Sequence, residues 1–193
     1  MAGKQAKILS TREITQMLTH IKSTRYPQRN EVMLLLSVKA GLRAKEISNV
    51  TWAMVTDASG QVSDALRLPD NSSKGKSGRV MPLNAQLREA LVNLHQMVSP
   101  EPEHYVITSE RGPKMLPCAI TIWFASVFKI LRLDGCSSHS GRRTFVTNAA
   151  KKIIEAGGSL RDVQQLAGHA SLQMTQSYIE GDCEAKRKVV DMI

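Results

Sequence analysis

The chain has 193 residues, of which 42% are hydrophobic, so it is predicted to fold as one compact domain, or at most two small ones, and not to be disordered. Lysine and arginine number 26 against 17 acidic residues, and the formal charge of +9 favours a polyanionic partner, with nucleic acid as the first candidate. An acidic membrane surface is the second candidate, but the longest apolar run, at residues 32–36, is far too short to cross a bilayer.

The first third of the chain carries helix signals. Ser10 and Glu13 have the spacing of a capping box ahead of an apolar helical face that reaches Ile21. A second helix is predicted over residues 29–40, where Gly41 provides a C-terminal cap. A short third helix is predicted over residues 43–50.

The remaining pattern adds a small sheet and more helices. Residues 65–69 and 78–84 predict two strands around a turn-rich tip. The later segments comprise a helix near 84–98, a short strand over 104–109 and helices near 117–132, 139–156, 159–167 and 171–180. No internal repeat or linker divides the sequence, which predicts a single α+β, mainly α-helical domain over residues 1–193 with a small antiparallel sheet or hairpin.

Arg43 and Glu46 are the first pair with functional potential. They are three residues apart, so on a helix they share a face and can form an ion pair. One interpretation is an ordinary surface ion pair, which contributes little. The other is that Glu46 orients the Arg43 guanidinium toward an anion.

The hairpin tip contains two glycines, and Lys74, Lys76 and Arg79 concentrate positive charge there. Most tips of this composition are solvated turns. If the tip faces a ligand, a lysine on it can enter an active site as a proton donor, and the local pattern does not decide which lysine does so.

His139 and Arg142 stand three residues apart at the start of a predicted helix whose apolar residues continue on the same side. Arg142 therefore leans toward the core, where a guanidinium is costly unless an anion neutralises it. The anion is either a carboxylate of the protein, with His139 as a cap, or a ligand. Arg143 points elsewhere and is expected to face solvent or a DNA backbone.

His169 and Tyr178 lie in the stretch "GHASLQMTQSYIE". An isolated pair of this kind usually means a tyrosine that packs its helix and a histidine that caps a turn. Alone, the pair is not evidence for chemistry.

The ordered set R-x-x-E, a hairpin lysine, H-x-x-R, G-H and T-x-x-Y resembles the tyrosine recombinase, or phage integrase, family in its catalytic domain. The resemblance covers nearly everything from Arg43 to Tyr178. It implies a site-specific recombinase that cuts and rejoins double-stranded DNA through a 3′-phosphotyrosyl intermediate, with Tyr178 as the nucleophile. The other catalytic residues that it implies are Arg43, Lys74, His139, Arg142 and His169, with Glu46 in support and with Lys76, Arg79 and Arg143 as DNA-binding residues.

The resemblance also assigns roles. Two arginines stabilise the charge that grows on the phosphate oxygens, His139 accepts the tyrosine proton and His169 donates to a phosphate oxygen. Lys74 is preferred over Lys76 as the donor to the departing 5′ oxygen, because the family's lysine usually sits at the strand end before the turn. No cofactor is expected, and the five histidines and three cysteines show no metal-ligand cluster.

Two departures from the family pattern stand out. Family members often have H-x-L-R-H where this sequence has Gly141 and Arg143 around Arg142, and the glycine is expected to loosen the packing there. Only about forty residues precede Arg43, so no separate N-terminal core-binding domain is expected in this sequence. The sequence is then expected to be either a compact family member or a piece limited to the catalytic domain.

Other classes remain open from the sequence. A phosphotyrosyl topoisomerase shares the chemistry without choosing a site, and a non-catalytic DNA-binding protein shares the basic charge. The N-terminus lacks the apolar core of a signal peptide and the cysteine count is odd, which predicts a reduced, cytoplasmic protein. A monomer in free solution that forms a homo-tetramer on DNA is expected, with the tail 184–193 packed on its own domain or on a neighbour.

Overall fold

The structure is a computed structural model that describes residues 5–70 and 78–178. Nearly all of its regular elements are helices, and a Trp52–Met54 3₁₀ turn follows the third of them. In chain order the elements are α1 (Thr11–Ile21), α2 (Pro27–Val38), α3 (Ala44–Asn49), β1 (Ala65–Leu68), β2 (Arg79–Pro82), α4 (Ala85–Val98), α5 (Pro117–Ile130), α6 (Ser140–Lys152), α7 (Leu160–Ala167) and α8 (Leu172–Gln176). The predicted class, α+β and mainly helical, is confirmed.

Helix α2 is the centre of the fold. Its residues from Val32 to Leu36 are all fully buried, and the helix packs against α1, α3, α4 and α6. A helical segment that is buried on every side, as residues 32–38 are, has to be surrounded in this way. The chain turns at Gly41, as predicted, with φ at +64°, a conformation that favours glycine.

The two predicted strands form an antiparallel hairpin. Ala65 pairs with Pro82 and Leu68 with Arg79, so Arg79 lies where the described part of the hairpin ends. Strand β2 also packs against α7. Residues 71–77, which connect the two strands in sequence, lie outside the described residues.

The prediction of a strand over residues 104–109 is wrong. Tyr105 makes a single bridge to Thr51, and Val106 N–H donates to Val50 O at 2.9 Å. The opposing segment turns into a 3₁₀ helix at Trp52, so no extended partner continues the ladder. Helix α6 also ends at Lys152, four residues before the predicted end.

Two apolar clusters hold the described helices. The larger is centred on α2, and the smaller consists of the buried residues Val146, Ala150, Val163 and Ala167 between α6 and α7. Tyr178 packs against the smaller cluster. Within residues 5–70 and 78–178, none of the helices has the length and apolar character required to traverse a bilayer.

Gly41 and Gly60 form a matched pair for testing how tightly the end of α2 packs. Both have positive φ, but an added Cβ at Gly41 would collide with the Phe145 ring, whereas one at Gly60 would meet nothing within 4 Å. We expect Gly60→Ala to lower the free energy of unfolding by about 1 kcal/mol, the cost of left-handed backbone. Gly41→Ala should cost about 3 kcal/mol, because the ring must also move. Urea unfolding measures both losses, and equal losses would contradict the packing described.

Candidate active site

One pocket of about 310 Å³ brings together five of the six predicted catalytic residues. They come from the start of α3, the start of α6, the α7–α8 turn and the turn after α8: Arg43, His139, Arg142, His169 and Tyr178. The sixth, Lys74, lies outside the described residues, as does Lys76. The proton-donor role of Lys74 and the DNA-binding role of Lys76 stay predictions.

Glu46 is a buried carboxylate that forms ion pairs with Arg43, Arg79 and Arg142. Its side chain is 1% exposed, and its carboxylate lies 3.0 Å from the Arg79 guanidinium, 3.6 Å from Arg43 and 3.8 Å from Arg142. Its second oxygen accepts the Arg43 N–H at 2.8 Å, which fixes the first turn of α3. Glu46 therefore does contact Arg43, as predicted, but its shortest ion pair is with Arg79.

Electrostatics keeps this carboxyl group ionised. Burial raises the pKa of Glu46, but the hydrogen bond and charge of Arg79, with the charge of Arg142, outweigh burial and hold the pKa below its ordinary value. One negative charge faces three positive ones in this cluster. The excess is positive, as an anion-binding site requires.

Arg79 was expected at the protein surface as a DNA-binding residue, and the structure places its guanidinium inside instead. Its side chain is 6% exposed, and Nη1 donates to Glu46. Strand alternation was the signal for this burial, because Arg79 is on the same face of β2 as the buried Met81. A groove of about 980 Å³ beside His169 is also lined by Arg79, so a DNA contact for Arg79 stays a prediction.

Arg142 joins separate parts of the chain. Its two terminal nitrogens donate to Gly41 O at 2.8 Å and to Ala167 O at 2.7 Å, and its side chain is 4% exposed. Burial and then the charge of Arg43 lower the pKa of Arg142 to about 10, so it is still protonated at neutral pH. The inward direction predicted for Arg142 is confirmed, and Glu46 is the carboxylate that it reaches.

The start of α6 differs from the expectation at two positions. Gly141 tightens the packing rather than loosening it, because an added Cβ would lie 2.9 Å from Ser37 Cβ on α2. Arg143 does not point away from the site: it lines the same pocket and its guanidinium donates to Ala6 O at 2.7 Å. His139 is exposed at the N-cap of α6.

His169 and Tyr178 stack in parallel, with ring centroids 5.5 Å apart. His169 Nδ1 lies 3.0 Å from Thr175 Oγ1, whereas Nε2 is buried and has no hydrogen-bond partner within the described part of the chain. Burial, followed by the charges of Arg142 and Arg43, lowers the pKa of His169 to about 4. The imidazole is therefore neutral at pH 7.

The family model for the phage integrase family matches residues 7–184. The chain belongs to that family. Among curated relatives, it is 34% identical over 167 residues to tyrosine recombinase XerC of Rhizobium meliloti (strain 1021), a match that covers 84% of this chain and 49% of the relative. Tyrosine recombinase XerA of Thermococcus kodakarensis is 27% identical to this chain, and the match covers 94% of this chain and 61% of the relative. The chain thus spans about half the length of the curated relatives it matches.

Solved structures of family members have the same fold. The crystal structure of XerA recombinase superposes with a TM-score of 0.74 at 21% identity, covering 96% of this chain and 64% of that one. The structure of the Tn1549 transposon integrase in complex with a circular intermediate DNA also superposes with a TM-score of 0.74, at 16% identity. That match covers 100% of this chain and 67% of the integrase chain. The resemblance drawn from the ordered motifs is therefore confirmed at the level of family and fold.

Within the described ranges, no cluster of three histidine, cysteine, aspartate or glutamate side chains could hold a metal ion. The positive charge of this family member's pocket comes from guanidinium groups.

The pH dependence of stability tests whether Glu46 is the charged centre of the site. Its folded-state pKa lies below the ordinary value of 4.5, so the ionised carboxylate stabilises the fold above pH 4.5, and this contribution is lost as pH falls through the lowered pKa. We expect Glu46→Gln to cost about 3 kcal/mol at pH 7, because the arginines lose their buried counter-charge.

The difference between wild type and Glu46→Gln should therefore shrink as the solution is acidified, in denaturant unfolding series from pH 7 to about pH 3. The matched control is Glu89→Gln, at an exposed position of α4, which should unfold like wild type throughout. A difference for Glu46→Gln that stays constant with pH would show that its charge does not stabilise the fold.

Proposed function

We propose that this chain is the DNA-cleaving and rejoining part of a site-specific tyrosine recombinase, which acts on double-stranded DNA in the cytoplasm. The observation that supports this most directly is the convergence of Tyr178, His169, Arg43 and Arg142 on one pocket with an excess of positive charge. The formal charge of +9 adds a long-range attraction to DNA.

The first step is the attack of the Tyr178 oxygen on the scissile phosphorus, which breaks the bond to the 5′ oxygen and forms a 3′-phosphotyrosyl link. A phosphodiester repels nucleophiles by its charge, and more charge gathers on the non-bridging oxygens in the transition state. Arg43 and Arg142 stabilise that charge by donating to those oxygens. A bound phosphate also gives Arg142 a second anion besides Glu46.

Proton transfers complete the step. His139, exposed at the pocket edge, accepts the proton that Tyr178 loses. Lys74 protonates the departing 5′ oxygen. His169 donates from Nε2 to a phosphate oxygen, which gives this buried nitrogen a partner. In the reverse step, a 5′ hydroxyl of another strand attacks the phosphotyrosyl link, so rejoining needs no ATP.

Assembly follows from the same charges. We propose a monomer in free solution, since copies carrying +9 repel one another, and a homo-tetramer on DNA once the phosphates neutralise that charge. One family structure is of a lambda integrase dimer bound to a core site. The tail 184–193 lies outside the described residues, and its docking on a neighbouring subunit stays a prediction.

Covalent trapping tests the proposal. Tyr178→Phe removes only the attacking oxygen, so we expect it to fold and bind DNA as wild type does but to form no adduct. The substrate is a library of nicked duplexes, which lose a short strand on cleavage and cannot be rejoined, and the readout is a covalent complex that persists in denaturing gels. Tyr105→Phe, a half-buried tyrosine outside the pocket, is the matched control and should form adducts normally.

The outcomes separate the three classes. Sequencing the DNA in the adduct yields one preferred site for a recombinase, whereas relaxation of supercoiled plasmids regardless of sequence indicates a topoisomerase. DNA binding without any adduct indicates a non-catalytic DNA-binding protein. An adduct recovered from Tyr178→Phe would show that another residue is the nucleophile.

The two hairpin lysines can be separated by the chemistry of the leaving group. A 5′-phosphorothiolate leaves as a sulfur anion that needs no proton, so it rescues only variants that lack the proton donor. We expect Lys74→Ala to slow cleavage of ordinary DNA about 100-fold and to be rescued by the sulfur substrate. Lys76→Ala should behave nearly as wild type on both substrates. Rescue of Lys76→Ala in place of Lys74→Ala would transfer the role to Lys76.

A further inference from the structure

The backbone of His169 is fixed by the end of α7. Gly168 ends that helix with φ at +60°, and the next N–H, that of His169, donates to Gln164 O at 3.0 Å. The Gln164 side chain returns a hydrogen bond to His169 O at 3.1 Å. Both the N–H and the C=O of His169 are thus hydrogen-bonded to Gln164, and its ring stacks on Tyr178. These contacts fix the orientation of the ring and therefore the positions of its two nitrogens.

The two nitrogens of His169 have different surroundings. Nδ1 is 3.0 Å from the hydroxyl oxygen of Thr175, a residue that is 0% exposed. Nε2 is buried, lacks a hydrogen-bond partner within residues 5–70 and 78–178, and belongs to a side chain that lines the pocket with Arg43 and Arg142. A neutral imidazole carries one proton, so its location decides which nitrogen can donate.

Hydrogen-bond satisfaction decides between the two tautomers. Among the described residues, the hydrogen-bond partner of the Thr175 hydroxyl is Nδ1 of His169. If the hydroxyl donates to Nδ1, both groups are satisfied and the ring proton is on Nε2. If Nδ1 carries the proton and donates to the oxygen, the buried hydroxyl proton is left without an acceptor, which is unfavourable.

Burial and the positive charges around His169 disfavour the doubly protonated ring, so only the two neutral tautomers remain. The groups that face it are Arg142, Arg43, Arg79, Glu46 and the stacked Tyr178. The arginines oppose a second ring proton. They also attract a phosphate, whose oxygen requires a donor rather than the lone pair of an unprotonated Nε2.

We propose that Thr175 is a positioning residue that holds His169 in the Nε2–H tautomer, so that His169 donates a hydrogen bond to the phosphate that Tyr178 attacks. The proposal rests on the recombinase function only for the identity of the phosphate. Thr175 and Tyr178 also share one turn, since Tyr178 N–H donates to Thr175 O at 3.1 Å. The turn that carries the nucleophile thus also sets the donor.

Two measurements test this role, one of them without DNA. Nitrogen-15 NMR of the His169 ring reports which nitrogen is protonated, and we expect Nε2–H in wild type, a loss of that preference in Thr175→Val and its recovery in Thr175→Ser. Single-turnover cleavage of a trapped nicked duplex should slow about tenfold in Thr175→Val, the loss of one hydrogen bond, and return in Thr175→Ser. Thr121→Val, which removes an exposed hydroxyl on α5, is the control and should change neither readout.

The outcomes are separable. A wild-type ring protonated on Nδ1, or a Thr175→Val ring that keeps Nε2–H, overturns the proposal whatever the cleavage rate, and the wild-type spectrum decides even if Thr175→Val does not fold. In a His169→Ala background, Thr175→Val should add no further slowing, and an additional tenfold loss there also overturns it. The predicted tautomers together with no adduct on any DNA would support the Thr175 role and refute the recombinase function.

Discussion

The buried carboxylate of Glu46 is the interaction on which the site depends. It contacts guanidinium groups from its own helix, from β2 and from α6, so one residue joins three elements that are distant in sequence. Burying several arginines costs desolvation energy that a single carboxylate only partly offsets. The cluster therefore keeps an excess of positive charge, which under the proposed function an incoming phosphate neutralises.

The same arginines determine what the histidine can do. Burial, followed by the charges of Arg142 and Arg43, disfavours a protonated imidazole and lowers the pKa of His169 to about 4. Under the proposed function, charge stabilisation therefore belongs to the guanidinium groups, and His169 contributes a directional hydrogen bond. In this proposal the tautomer of His169 matters more than its charge state, and the buried Thr175 hydroxyl, 3.0 Å from Nδ1, is the group proposed to control it.

The sequence predicted the order of helices and hairpin because those signals are local: caps, apolar periodicity and turn residues act within a few positions. It also predicted five of the pocket residues, through the order of motifs in the family. It failed where the outcome depends on distant partners. Arg79 is buried because Glu46, 33 residues earlier, reaches it, and residues 104–109 form no strand because the segment opposite turns at Trp52. Gly141 is tightly packed because Ser37 of α2 lies against it, which no local pattern records.

The two apolar clusters divide the site between a fixed part and a part held by fewer contacts. Arg43 and Glu46 follow directly from α2 and are anchored to the larger cluster, through buried neighbours such as Leu42 and Ile47. Tyr178 packs on the smaller cluster between α6 and α7, which has four buried members among residues 5–70 and 78–178. Within the described residues fewer buried apolar side chains surround Tyr178 than surround Arg43 and Glu46, so we expect the tyrosine-bearing turn to shift at a lower free-energy cost than those two residues. Under the proposed function, cleavage and rejoining require Tyr178 to bond to and leave a phosphate while the charge of Arg43 and Glu46 stays in place, and this division of the core favours both.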